Sequence, residues 1–145
     1  MTEPTVGDLL AESFAVLAQE LPPAWLRFCA CLDGRAVEVE VDDERFTVRF
    51  ARGAAAIDPP APAADAHIAT SRRTILDVLD AQLTLREAVL RDLLQVVAPL
   101  WMMSPLHEGI LAYVHGGVRC PSFPSLLRRF RAATTAPAGD QGSQP

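Results

Sequence analysis

The sequence predicts a single α/β (α+β) domain of about five short strands and several helices. Three observations carry that reading: apolar residues recur at helical spacing over 6–21, the period changes to two over 37–50, and helix-capping signals return after Ser71. A chain of 145 residues with 50% hydrophobic and 21% charged residues can build one core and needs no second. The domain is assigned to 1–133, and the low-hydrophobicity segment 134–145 is expected to be a disordered tail.

In the first helix, expected from about Val6 to Leu21, the apolar positions are Val6, Leu9, Leu10, Phe14, Leu17 and Leu21. Thr5 is its cap and Asp8 places a negative charge in the first turn. Pro22-Pro23 ends it. The following PAWLRFCACL reads as a short helix burying Trp25, Phe28, Cys29 and Leu32, with the start of the sheet as the alternative; Asp33-Gly34 closes it in either case. Val37, Val39 and Val41 then alternate with acids, and Phe46, Val48 and Phe50 alternate with Thr47 and Arg49, which is a hairpin with one apolar and one charged face. Its glutamates and Arg49 are expected to neighbour each other across the strands. Gly53 permits a reversal, AAAID a third short strand and PPAPAA an extended loop.

A fourth strand is expected over 65–70, with Ala66 and Ile68 on one side and His67 on the other. Ser71 caps a helix whose inward residues are Ile75, Leu76 and Leu79. Thr84 and Glu87 have capping-box spacing, and Leu83 with Ala88 can form a hydrophobic staple. LLQVVAP suits a strand ended by Pro99. A long helix is expected to follow with Ser104 as cap and Pro105 at its first position, loosening at Gly116-Gly117 and breaking at Cys120-Pro121. SFPSLLRRFRA gives the last helix, with Phe123, Leu126, Leu127 and Phe130 apolar.

Charge and composition exclude several functions. The net charge is −5, so a nonspecific hold on phosphate backbones, and nucleic acid as partner, are disfavoured. Every basic side chain is arginine, which removes Schiff-base and phosphate-loop lysine chemistry. Arg119, Arg128, Arg129 and Arg131 make the chain's end basic and read as a solvated helix face. Cys29, Cys31 and Cys120 form neither a C-x-x-C pair nor an even set, which argues against a disulfide framework and a zinc knot. The acidic start MTEPTVGDLLAES does not resemble a signal peptide, and LLQVVAPLWMMSPL is too short for a membrane-spanning helix, so stable membrane insertion is not expected and reduced cytoplasm is the default location.

Ala64-Asp65 at the start of a strand, Leu76, Leu79 and Ala81 along the next helix, and the segments FTVRFARGAAAID and DAHIATSRRTILDVLDAQLTLREAV together give a pattern that resembles the SCP2-like sterol-carrier family. The resemblance covers roughly Ala36 to Val97, with a looser match through Phe130, and it consists of hydrophobic positions rather than a chemical signature. It implies a five-stranded sheet with helices on one face and a tunnel between them for acyl chains, sterols or related lipids, and it brings no catalytic residue. The last strand departs from the family, since RDLLQVVAP stands where many relatives carry glycines. Leu93, Leu94 and Trp101 either line or plug the tunnel.

Trp101, Met102, Met103, Leu106 and Ile110 place large, adaptable side chains beside a strand-to-helix junction, a composition suited to irregular apolar ligands and equally to plain core packing. With Tyr113, Val114, Phe123 and Leu127 they form the candidate ligand-binding set, and His107 and Arg119, with Tyr113, the polar rim. His107 and Glu108 are adjacent, so they diverge on a helix, and His115 is over two turns from His107; neither a zinc site nor an acid-base pair results. Cys120 has no general base placed by sequence. Noncatalytic binding or carriage of a hydrophobic small molecule, without metal or cofactor, is therefore the first reading. A protein interaction or homodimerisation module using the apolar C-terminal part is the second. An enzyme acting on a hydrophobic substrate through His107, Glu108 or Tyr113 is the third.

Overall fold

Two reciprocal hydrogen bonds start the first helix: the Thr5 side chain accepts from the Asp8 amide at 3.0 Å and the Asp8 carboxylate accepts from the Thr5 amide at 3.2 Å. Such a cap satisfies two backbone donors that the first turn leaves open. Helix α1 spans Val6–Glu20, and α2, Pro22–Cys31, carries its prolines in the first turn where their missing donors cost nothing. The segment PAWLRFCACL is thus helical, and Phe28, Cys29 and Leu32 are buried. The computed structural model describes residues 4–61 and 63–142, with side chains described through Thr134.

The sheet consists of β1 (Ala36–Val41), β2 (Glu44–Ala51), β3 (Ala54–Asp58), β4 (Ala66–Thr70) and β5 (Gln95–Val97), in the order β3-β2-β1-β4-β5. It is mixed: β1 and β4 run parallel, and the other neighbours are antiparallel. Val37 faces Val48 and Val39 faces Phe46 across the hairpin, while Val39 also faces Ile68 of β4. A period of two therefore puts one apolar face against the helices and one charged face outward. On the charged face the cross-strand pairs differ from expectation. Arg49 Nε meets Asp58 of β3 at 3.1 Å, whereas Arg45 lies 3.8 Å from both Glu38 and Glu40 and His67 Nδ1 lies 2.7 Å from Glu38. Arg49 is opposite Ala36 in the register, so it has no acid on β1 to meet directly.

Helix α3 (Arg72–Leu79) is capped by Ser71 and α4 (Leu85–Leu90) by the Thr84–Glu87 box. Leu83, Ala88 and Leu94 form a small buried cluster that seals the turn between α4 and β5. Helix α5 spans Leu100–Gly117, with Pro99 in the cap position and Pro105 inside the helix. The expected start at Ser104-Pro105 is corrected by five residues. Pro105 lies inside the helix, where its ring removes one bond, to the carbonyl of Trp101.

Helix α6 spans Phe123–Gly142, so the helical backbone passes the boundary expected at Ala133; the last tail residues, 143–145, lie outside the described ones. The C-terminal arginines are exposed, as expected of a solvated face, and two of them also pair with acids on other elements. Arg131 makes a two-pronged bond to Asp80 at 2.9 and 3.0 Å, which holds that carboxyl below its usual range, and Arg129 reaches Glu12 of α1 at 2.7 Å. Ser122, just before α6, bonds to Glu20 at the end of α1 through both its amide and its hydroxyl. Glu44 performs a similar tie at the other end of α1, accepting from the Val6 and Gly7 amides at 2.9 and 3.1 Å and from Arg72 at 3.2 Å. These bonds fix α1, α3 and α6 over the apolar face of the sheet.

Candidate ligand-binding cavity

Between that face and the helices the core is not filled. A partly enclosed cavity of about 220 Å³ is walled by α1 (Leu9, Leu10, Ser13), the sheet (Val39, Val41, Phe46, Ile68), α3 (Ile75, Val78, Leu79), α5 (Ile110, Tyr113, Val114) and α6 (Phe123, Leu127, Phe130). A second space of about 130 Å³ lies toward α2 and shares Leu10, Val39, Ile68, Ile110 and Tyr113 with the first. The larger space has the volume of about seven water molecules, but its wall offers water few partners. Among the described residues, the polar side chains on its wall are those of Ser13, Thr70, Thr74 and Tyr113, and none of the lining side chains is charged.

Tyr113 stands where the two spaces meet. Its ring packs against Phe14, Phe28 and Phe123 at centroid distances of 5.9, 5.4 and 6.3 Å, and its hydroxyl lies 2.6 Å from Ser13 Oγ. Burial is the main cause that pushes its pKa up to about 12, against a smaller lowering by the Ser13 bond. A low-dielectric surrounding opposes any anion at that point.

The residues expected to bind ligand separate into three groups. Ile110, Tyr113, Val114, Phe123 and Leu127 line the larger cavity, and Leu106 lines the smaller together with Ile110 and Tyr113. Met102 is fully buried in the core but lines neither. Trp101 and Met103 are corrections: they are 55% and 41% exposed, and Arg35 sits 4.5 Å above the Trp101 ring. Once α5 begins at Leu100, the phase set by Met102 and Leu106 turns their neighbours outward. His107 and Arg119 are exposed and do not rim the cavity. Of the two leucines before β5, Leu94 lines the cavity and Leu93 is exposed.

The wall residues on α1, α3 and the sheet were readable only as core, since an apolar stripe looks the same whether it meets a side chain or a void. Gly116 and Gly117, expected to loosen the end of α5, do the reverse. A Cβ at Gly116 would lie 2.8 Å from Ala24 Cβ, and one at Gly117 would lie 2.6 Å from the Phe123 ring, so these glycines permit close helix packing beside the cavity.

Among the described residues, no three His, Cys, Asp or Glu side chains gather within metal-binding range, and no helix is long and apolar enough to cross a membrane. Burial raises the pKa of all three thiols, that of Cys29 to about 11, and the Cys120 thiol donates to the Gly116 carbonyl at 3.5 Å. Such thiols stay protonated at neutral pH and are weak nucleophiles.

No protein-family model matches the chain, and no curated protein is significantly similar to it. Solved structures do share its fold. A UbiJ-SCP2 ubiquinone synthesis protein superposes with a TM-score of 0.52 at 18% identity, over 70% of this chain and 93% of its own. A sterol carrier protein 2 crystal structure gives 0.53 at 16% identity, over 75% and 95%. The solution structure of a conserved hypothetical protein from Thermus thermophilus gives 0.50 at 19% identity, over 78% and 90%. The chain therefore has an SCP2-like fold, a five-stranded mixed sheet with helices, as the resemblance implied.

Proposed function

We propose that the protein binds or carries a hydrophobic small molecule, of lipid, acyl-chain or sterol-like character, in the cavity between sheet and helices, and that it does so without catalysis. The observation that carries the reading is an apolar space of about 220 Å³ held open by residues from several elements. Apolar wall atoms that face a space and no partner forfeit their dispersion contacts, which is a cost to the unoccupied fold. A ligand whose methylenes leave water for the cavity offsets that cost at about 0.8 kcal/mol each. The proposed contacts are Ile110, Tyr113, Val114, Phe123 and Leu127, with Leu10, Val39 and Ile68 opposite. The similarity to sterol carrier protein 2 and to the ubiquinone synthesis protein supports the same class of ligand.

Native mass spectrometry of the purified full chain, followed by extraction and lipid analysis, tests this. A bound mass that extracts as a defined acyl, polycyclic or isoprenoid molecule is the expected result. A clean apo mass together with no uptake from a panel of fatty acids, acyl esters and sterols overturns it. The same spectrum examines a second reading, an interaction or homodimer module, favoured by Leu100, Trp101 and Val97, which are 89%, 55% and 68% exposed.

A further inference from the structure

The hydrogen bonds around Tyr113 have a direction. Ser13 Oγ lies 2.6 Å from the Leu10 carbonyl, which only accepts, so the serine proton is committed there. The contact between Ser13 Oγ and Tyr113 Oη, at 2.6 Å, then has to be donated by the tyrosine. With its one proton spent, Tyr113 Oη offers the cavity lone pairs alone. Thr70 is likewise committed, donating to the Leu93 carbonyl at 2.8 Å, while Thr74, on α3, accepts from Ser71 at 3.0 Å. Among the described residues, no cationic side chain lines the space.

We propose that the Ser13–Tyr113 pair sets the head-group preference of the cavity, accepting a hydrogen bond from the hydroxyl of a neutral amphiphile and rejecting ionised carboxylic acids. A carboxylate only accepts, so beside Tyr113 it meets another acceptor, with no cation to replace the water it left. The raised tyrosine pKa reports the same resistance to negative charge. The inference rests on the cavity being the ligand site.

The test compares three monomeric eight-carbon probes on the full chain by calorimetry at pH 7.5: 1-octanol, methyl heptyl ether and octanoate. Octanol is expected to bind roughly three- to tenfold tighter than the ether, the scale of one neutral hydrogen bond. Octanoate is expected to bind at least about a hundredfold more weakly than octanol, because its charge is desolvated unpaired. Tyr113→Phe should abolish the advantage of octanol over the ether while leaving ether binding in place. Ser13→Ala frees the Tyr113 proton to donate, so the ether should gain on octanol. Thr74→Val should leave the preference unchanged; a preference lost in that variant instead places the head group at α3 and overturns the proposal. Octanoate binding as tightly as octanol overturns it while the cavity reading stands. Failure of all three probes overturns both.

Discussion

The two halves of α5 are equally rich in apolar residues and are used in opposite ways. From Leu100 to Met103 the helix turns three of four large side chains to the surface and buries only Met102, at 0% exposure. From Gly109 to Gly117 it packs glycines against α1, α2 and Phe123 and presents Ile110, Tyr113 and Val114 to the cavity. Hydrophobicity is thus a poor guide to the site, and helical phase decides it. One residue is about 100° of rotation, enough to move a methionine from full burial to 41% exposure.

The sharpest break of that comparison is between neighbours. Met102→Ala should cost about 2–5 kcal/mol in chemical denaturation, the range for buried aliphatic truncations, and Met103→Ala should stay within about 0.5 kcal/mol. Equal losses at the two positions would show that the phase assigned to the helix start is wrong.

A second prediction sharpens the description of the cavity half. Tyr113 is the chain's one tyrosine, so difference absorbance follows its ionisation without interference from another. Its pKa is raised from 10.0 to about 12, so the folded state holds the proton after the unfolded state has released it. Stability linked to Tyr113 is intact below pH 10, falls between pH 10 and 12 and levels off above, a total of about 3 kcal/mol. The Tyr113→Phe variant should lack that slope. A tyrosine that titrates near 10 in the folded protein means that water reaches the hydroxyl freely.

Most of the fold was legible because its signals are local. The Thr5, Ser71 and Thr84 caps and the alternation of Val37, Val39 and Val41 with Glu38 and Glu40 each specify backbone within a few residues, and all appear as read. The start of α5 was misread because Ser104-Pro105 is a good local signal that loses to tertiary packing of Met102. Had the helix been extended to Leu100, the partition was available: Met103 shares a face with His107 and Trp101 with Glu108, and that face is polar. The cavity itself was legible only in its α5 and α6 contributions. Whether Leu9, Ile75 or Phe46 touches a neighbour or a void depends on the separation of helix and sheet, which no local pattern records. The Ser13–Tyr113 bond spans a hundred positions of sequence and is invisible to any periodicity.

The smallest effect tests how that separation is maintained. Replacing Gly116 by alanine improves intrinsic helix propensity by about 1 kcal/mol, which on its own predicts a more stable protein. The new methyl would lie 2.8 Å from Ala24 Cβ and 2.9 Å from a Leu17 methyl, and Leu17 is fully buried. Ala24 Cβ is fixed to its backbone and cannot turn aside, so α2 and α5 have to move apart, a change that costs about 1–3 kcal/mol in packed interiors. Packing strain exceeds propensity, and Gly116→Ala should lower stability by up to about 2 kcal/mol, measured as a shift in the urea midpoint without a change in slope. A gain instead would mean that the two helices slide apart at no cost, and that the wall carrying Tyr113 is softer than its glycine contacts imply.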